Sequence, residues 1–203
     1  MKILWYHFLR HIAQTYLKLF HDLRFQGEEY FPKCGFILAS NHVSFYDPPM
    51  IGGTTDRPFF YLARKTLFST PVIDWWLTSI RAIPVDQDRP DMVGVKRIIK
   101  LLKQGDSVVL FPEGARSYDG VMLPAMPGVG LIIAKAQVPV VPCRIFGGHL
   151  AWPRDGKIRL FTPIRVVYGK PIFFDEKIGK SKEAYQEIGN RIMAKIAELK
   201  YDE

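Results

Sequence analysis

The chain has 203 residues, of which 48% are hydrophobic and 24% charged, and its formal net charge is +8 at pH 7. This composition excludes a disordered chain, and the lack of a Pro/Ser-rich or charged linker predicts one globular domain. The positive charge favours anionic partners, namely nucleic acid, a phospholipid surface or a phosphate-bearing substrate. Cys34 and Cys143 have no metal-ligand spacing and provide no disulfide framework, so we expect a reducing compartment.

Residues 1–25 have the periodicity of an amphipathic helix. Apolar side chains recur at helical spacing from Leu4 to Leu23, and the basic residues expected on the other face are Lys2, Arg10, Lys18 and Arg24. No run of about 18 uncharged apolar residues or signal-peptide cleavage site is present, so neither a membrane span nor a signal peptide is predicted. Two interpretations stay open: a helix lying in an anionic membrane interface, or one packed on the core. We assign residues 1–25 to the membrane-interface helix and residues 26–203 to the main domain.

Polar residues follow the apolar run at residues 36–39, which we predict to be a buried strand. Ligands of open α/β sheets bind at the carboxyl ends of strands, so His42 and Asp47 lie where a site is expected. On a regular helix they would point about 140° apart, so the segment must turn back for Asp47 to reach the His42 ring. That contact fixes the imidazole tautomer and frees one nitrogen to accept a proton. The alternative is a structural histidine with no role in chemistry.

The remaining apolar runs alternate between strand and helix patterns. Strands are predicted at residues 58–63, 82–85, 107–111, 138–143 and 165–168, and helices through Trp75 and Trp76, from Pro90 to Gly105, at residues 127–136 and after Ser181. The prolines of the 138–143 strand favour a strand end or a sheet edge. This alternation predicts an α/β fold: a single domain with a mostly parallel mixed sheet flanked by helices, preceded by the N-terminal amphipathic helix.

A second polar turn, residues 112–117, follows the 107–111 strand. Arg116 has the fork geometry that binds phosphate, and Glu113 is suited to hold that arginine or a substrate hydroxyl in place. The alternative is an ordinary loop in which Arg116 forms a surface ion pair. The 58–63 strand likewise delivers Lys65 to its carboxyl end.

Taken together, these stretches resemble the glycerolipid acyltransferase family. Asn41-His42-x-x-x-x-Asp47 is similar to its NHxxxxD motif, residues 111–117 (FPEGARS) to FPEGTRS, and residues 138–142 (VPVVP) to its proline-bearing fourth motif. The resemblance covers about residues 30–175 and identifies residues 26–203 as an acyltransferase domain. It also implies the glycerol-3-phosphate acyltransferase-like form of the α/β fold.

The chain departs from the family pattern in its second motif. Arg81 occupies the position of a glycine, and Gln87 that of an arginine that is presumed to contact phosphate. Either Arg81, Arg89 or Lys65 takes over this contact, or the acceptor is not a simple phosphomonoester.

The resemblance implies transfer of a fatty acyl group from an acyl-CoA or acyl carrier protein thioester to the hydroxyl of lysophosphatidate, giving phosphatidate in phospholipid biosynthesis. His42 is expected to be the general base and Asp47 to orient it, while Glu113, Gly114 and Arg116 bind the acceptor. Lys65, Arg81 and Arg89 are further candidates. No GxSxG nucleophile elbow is present, which favours direct attack over an acyl-enzyme. No metal or cofactor is expected beyond the thioester co-substrate.

Other functions remain open. Acyl transfer to another lysophospholipid, or exchange between a phospholipid and a lysophospholipid, would use the same His42 and Asp47. A non-catalytic membrane-surface protein is the alternative from a different class. No nucleic-acid-binding motif is recognisable, so nucleic acid is not expected as a partner. The expected partners are a lysophospholipid, the thioester donor and an anionic membrane, with the protein on its cytoplasmic face.

Overall fold

A central β-sheet organises the computed structural model, which describes residues 2–86, 91–154, 156–174 and 181–202. The strands are β1 (Arg24–Gln26), β2 (Ile37–Ser40), β3 (Phe59–Arg64), β4 (Ala82–Val85), β5 (Ser107–Leu110), β6 (Val140–Phe146) and β7 (Arg165–Tyr168). The helices are α1 (Lys2–His21), α2 (Asp47–Gly53), α3 (Pro71–Ser79), α4 (Met92–Lys103), α5 (Pro127–Ala136), α6 (Gly148–Ala151) and α7 (Lys182–Glu198). Short 3₁₀ turns follow β1 and β3.

The strand order in the described residues is β1-β7-β6-β2-β5-β3-β4, and every neighbouring pair is parallel except β6 with β7. The predicted α/β fold with a mostly parallel mixed sheet is therefore confirmed. Strands β2 to β6 all point the same way, so their carboxyl ends meet at one edge of the sheet. The polar turns after β2 and β5 lie side by side at that edge because these two strands are hydrogen-bonded neighbours.

The sheet separates two apolar cores. Alternating side chains of a strand point to opposite faces, so Phe36 and Leu38 enter one core while Ile37 and Ala39 enter the other. Helices α1 and α2 cover the first core, and α4, α5 and α7 cover the second. Both cores are centred on β2, which makes the strand that precedes His42 the most enclosed part of the sheet.

Helix α1 is apolar on two opposite sides. Its inner side buries Tyr6 and Leu17 in the protein, so the helix does pack on the core as one of the two interpretations proposed. An outer stripe of exposed apolar side chains remains, spanning an arc of about 100° at about 3.6 residues per turn. The stripe comprises Leu4, Trp5, Phe8, Ile12 and Leu19. None of the helices in the described ranges is long and apolar enough to cross a membrane.

One local expectation was wrong, and another was met only in part. Arg10 does not lie on an exposed basic face: it is only 8% exposed, donates to the Thr55 carbonyl and pairs with Asp56. Of the two prolines expected at a strand end or a sheet edge, Pro139 does lie at a strand end, directly before β6. Pro142 lies inside β6, which is not an edge strand, since it lies between β7 and β2. The Pro142 carbonyl accepts from the Gly169 N–H, which follows the last residue of β7. The nitrogen and the carbonyl of a strand residue point to the same side, so the Pro142 nitrogen faces the place where β7 has ended and no ladder hydrogen bond is lost.

Candidate active site

His42 and Asp47 form a tight pair at the carboxyl edge of the sheet. The Nδ1 atom of His42 lies 2.6 Å from Asp47 Oδ2, and the same oxygen accepts from the backbone N–H groups of Val43 and Ser44 at 2.7 and 2.9 Å. Asp47 is completely buried at the first turn of α2, where the helix dipole favours a negative charge. Since a carboxylate only accepts, Nδ1 carries the proton and Nε2 is left as the acceptor.

The turn after β5 holds His42 from the other side. The His42 ring stacks on Phe111 with centroids 4.0 Å apart and planes inclined by 15°. Its backbone N–H donates to Glu113 Oε1 at 2.7 Å, and its carbonyl accepts from the Ser117 N–H at 2.9 Å. The imidazole is therefore oriented by both polar turns, while its side chain remains 20% exposed.

Glu113 connects three segments of backbone. Its carboxylate is buried and accepts from the N–H of His42 through Oε1 and from the N–H of Leu123 through Oε2, at 2.7 Å each. Burial raises the pKa of Glu113 above its ordinary value, although both hydrogen bonds act in the opposite direction. Among the described contacts, the carboxylate supports the backbone around His42 and does not bind Arg116.

Arg116 is held against an aromatic ring of the His42 turn. Its guanidinium carbon lies 3.4 Å from the ring centroid of Phe45, which packs in turn on Trp152 with centroids 5.0 Å apart. Gly114 has a φ of +69°, a left-handed conformation that glycine adopts without strain and that turns the chain from Glu113 towards Arg116. The two polar turns thus form one site that combines an imidazole, a carboxylate and a guanidinium.

Asn41 ties the site to β6. Its side-chain amide donates to the Ile145 carbonyl at 3.0 Å and accepts from the Ile145 N–H at 2.7 Å, which closes the gap between the ends of β2 and β6. Beside it lies a cavity of about 340 Å³. The cavity is lined by residues from three segments: Asn41, Val43, Gly120, Val121, Met122, Arg144, Ile145, Phe146, Gly147 and His149.

The remaining candidates are distributed unevenly. Lys65 directly follows β3, at the same sheet edge and two strands from β2. Arg81 precedes β4 and so lies at the opposite edge, where it pairs with Asp106 at 2.8 Å and stacks on Phe60 at 3.8 Å. The structure therefore does not bring Arg81 to His42. Arg89 and Gln87 fall outside the described residues.

Sequence reasoning missed the roles of Phe45 and Trp152. Phe45 lies inside the first motif, and its position three residues after His42 was the available signal for an aromatic support. Trp152 belongs to no motif, and only the fold places it beside residues 44–46. No group of three His, Cys, Asp or Glu side chains suited to a metal ion occurs in the part of the chain that the structure describes.

A mostly parallel sheet thus carries a histidine–carboxylate pair and an arginine at its carboxyl edge, an arrangement that has the groups needed to accept a proton and to bind an anion. The model of the family described as "Acyltransferase" matches residues 22–146. The chain belongs to this acyltransferase family, which confirms the resemblance.

Relatives and a solved structure agree with this membership. The chain is 31% identical to "1-acyl-sn-glycerol-3-phosphate acyltransferase" of Bacillus subtilis, covering 82% of each protein. It is 31% identical to the chloroplastic 1-acyl-sn-glycerol-3-phosphate acyltransferase BAT2 of Brassica napus, covering 83% of this chain and 50% of that protein. The chain thus spans about half of this plant relative. The crystal structure of the 1-acyl-sn-glycerophosphate acyltransferase PlsC from Thermotoga maritima superposes with a TM-score of 0.70 at 25% identity, covering 97% of this chain and 83% of that one.

Proposed function

We propose that the protein transfers a fatty acyl group from an acyl thioester to the free hydroxyl of lysophosphatidate, giving phosphatidate for phospholipid biosynthesis. The observation that carries this proposal is the His42–Asp47 pair, in which the buried carboxylate occupies Nδ1 and leaves Nε2 to accept a proton. The relatives are named 1-acyl-sn-glycerol-3-phosphate acyltransferases, which supports the choice of acceptor.

In the proposed reaction, Nε2 of His42 removes the proton from the acceptor hydroxyl as its oxygen attacks the thioester carbonyl. The C–O bond forms, the tetrahedral intermediate collapses with cleavage of the C–S bond, and the imidazolium returns the proton to the leaving thiolate. The buried Asp47 carboxylate stabilises the positive imidazolium between these steps. A positioned general base of this kind contributes about 10²- to 10⁴-fold to the rate.

The acceptor phosphate is proposed to bind Arg116, whose planar guanidinium offers paired N–H donors to phosphate oxygens. Glu113 acts on the acceptor indirectly by fixing the backbone on either side of the site, and Gly114 allows the turn that presents Arg116. Lys65 is a more distant candidate for the same anionic head group. The thioester is supplied by acyl-CoA or acyl carrier protein, and no other cofactor enters the proposed reaction.

The test measures release of free thiol from acyl-CoA and acyl carrier protein thioesters with and without lysophosphatidate. Wild-type protein is expected to release thiol in an acceptor-dependent manner, and His42→Ala to lose this by about 10²- to 10⁴-fold. His11→Ala is the matched control because His11 is exposed on α1. Acceptor-independent release would indicate thioester hydrolysis, and transfer only from a phospholipid donor would indicate acyl exchange. Full activity of His42→Ala would contradict the mechanism.

We further propose that the protein is a peripheral membrane protein on the cytoplasmic face of an anionic membrane. The outer stripe of α1 continues onto α3, since the rings of Trp5 and Trp75 lie 6.4 Å apart. Helix α3 exposes Val72, Ile73, Trp75 and Trp76. Aromatic and aliphatic side chains of this kind insert into the membrane interface, and the net charge of +8 attracts anionic head groups. The two unpaired cysteines are consistent with a reducing compartment.

A further inference from the structure

The segment that follows α6 packs on the turn that carries His42. The Ser44 hydroxyl donates to the Trp152 carbonyl at 2.8 Å. The Trp152 ring contacts the rings of Phe45 and Tyr46, with centroids 5.0 and 4.8 Å away. Trp152 therefore anchors this segment on residues 44–46 and fixes where the next side chains lie.

Arg154 reaches from this segment to the turn that carries Arg116. One of its terminal nitrogens donates to the Arg116 carbonyl at 2.8 Å, and its guanidinium carbon lies 4.0 Å from the centroid of the Tyr118 ring. In the described part of the chain, no carboxylate lies within ion-pair distance of Arg154. Since a guanidinium carries several N–H donors and one is used here, the others are available to a ligand.

Arg116 and Arg154 are thus held in the same way. Each guanidinium has one face on an aromatic ring, Phe45 for Arg116 and Tyr118 for Arg154. Stacking on a ring leaves the N–H donors along the guanidinium edge free of the ring, which suits in-plane binding of an oxyanion. The hydrogen bond from Arg154 to the Arg116 carbonyl ties the Arg154 guanidinium to the turn that carries Arg116.

We propose that Arg154 is a second guanidinium of the acceptor head-group site and binds the phosphate of lysophosphatidate together with Arg116. A phosphate monoester carries a charge of about −1.5 to −2 near neutral pH, so a single guanidinium leaves part of that charge uncompensated. Two guanidinium groups match it, and both can form charge-assisted bonds to the terminal oxygens. This assignment rests on the proposed function because it concerns the same acceptor.

The assignment makes Arg154 a determinant of head-group specificity. Lysophospholipids with a diester head group carry one negative phosphate charge and fewer terminal oxygens, and monoacylglycerol carries none. Removing Arg154 should therefore weaken binding of lysophosphatidate more than binding of either alternative acceptor. A structural role of Arg154 in holding residues 152–154 would instead weaken all three acceptors alike.

The first arm of the experiment measures kcat and KM for the three acceptors. Arg154→Met is expected to raise KM for lysophosphatidate at least about tenfold, with kcat changed by less than about threefold. Arg154→Lys keeps the charge without the fork and should give a smaller increase. Arg191→Met is the matched control, since Arg191 on α7 also stacks on an aromatic ring, that of Phe174. Circular dichroism establishes that each variant is folded.

The second arm measures binding without turnover, by calorimetry of short-chain lysophosphatidate with the His42→Ala protein and with His42→Ala/Arg154→Met. Weaker binding in the double variant supports the assignment even if no variant transfers acyl groups, in which case only the proposed function fails. Unchanged binding overturns the assignment even if transfer is efficient. The assignment is also overturned if Arg154→Met raises KM for monoacylglycerol as much as KM for lysophosphatidate in the first arm. It is overturned as well if the His42→Ala protein does not bind lysophosphatidate.

Discussion

At the scale of single residues, buried carboxylates organise this site. Asp47 gathers one side-chain and two backbone donors on a single oxygen, and Glu113 takes one backbone donor on each of its two oxygens. A buried acceptor that satisfies backbone N–H groups is costly to replace, because the orphaned donors lose their water as well as their partner. The motif residues of this family member therefore hold the site together before any substrate arrives.

Glu113→Gln tests this structural role. Glutamine has one oxygen and one NH₂ group, so one of the two backbone donors at His42 and Leu123 must face another donor. We expect the free energy of unfolding to fall by about 1–3 kcal/mol, measured by urea denaturation without substrate. Glu187→Gln on the exposed side of α7 is the control and should change stability little. Equal stability of the two variants would show that the Glu113 carboxylate does not support the fold.

The pH dependence of folding stability provides a second test of Glu113. The pKa of Glu113 is raised by burial, so the folded state retains its proton at pH values where the unfolded chain has released it. The contribution of Glu113 to stability is thus greatest below the ordinary value of 4.5 and declines as pH rises towards its raised folded-state pKa. This decline should be present in the wild type and absent in Glu113→Gln.

At the scale of elements, the close contact between helices α5 and α7 determines how they pack on the second core. The two helices approach closely at Gly130, where an added Cβ would overlap the carbonyl oxygen of Tyr185. Backbone cannot move as easily as a side-chain tip, so this position requires glycine for packing and not for its backbone conformation. The second core, with Ile133, Ile188 and Ile192, depends on this approach.

Two alanine substitutions in α5 separate packing from helix propensity. Gly130→Ala is expected to destabilise the fold by about 1–3 kcal/mol or more, because the helices must separate. Gly128→Ala, two residues earlier, has open space around the new methyl group and should leave stability unchanged or raise it by up to about 1 kcal/mol. Thermal and urea unfolding measure both. If Gly128→Ala were less stable than Gly130→Ala, the close approach of α5 and α7 at Gly130 would not limit packing.

At the scale of the whole molecule, one face of the protein combines the outer stripe of α1 with α3. This face lies opposite the layer formed by α4, α5 and α7, so the two sides of the molecule differ in what they offer to a membrane. Leu17 and Leu23 belong to the core, which means that deleting residues 1–25 would damage the fold along with any membrane contact. Surface substitutions are the appropriate test.

Phe8→Glu/Ile12→Glu should reduce flotation with anionic phospholipid vesicles by about tenfold or more, since it replaces two exposed apolar side chains of the outer stripe with charges that anionic lipids repel. Met92→Glu/Val93→Glu is the matched control, because it replaces two exposed apolar residues on α4 with the same charges. The control should float like the wild type. If flotation falls equally in both double variants, the loss is explained by the change in net charge alone. If flotation falls in neither, the outer stripe of α1 is not the attachment surface.

Much of this protein was determined by local sequence alone. Apolar runs and turn residues predicted β2, β5, α4 and α7 because periodicity and capping act over a few neighbouring residues. The spacing of His42 and Asp47 also implied their contact, since a short turn limits where two side chains five residues apart can meet. The three-residue strand β1 was missed because so short a segment has no periodicity to read.

The tertiary structure decided what depends on distant segments. It placed β6 in the sheet interior and left Arg81 at the edge away from His42, because strand order and direction come from pairing across the sheet. It turned Arg10 inwards because the partners of this side chain, Thr55 and Asp56, lie in a segment about 45 residues away. It also brought Trp152 and Arg154 to the two polar turns, although they lie more than a hundred residues from His42. Such contacts arise from packing of the whole chain, so no local pattern in the sequence records them.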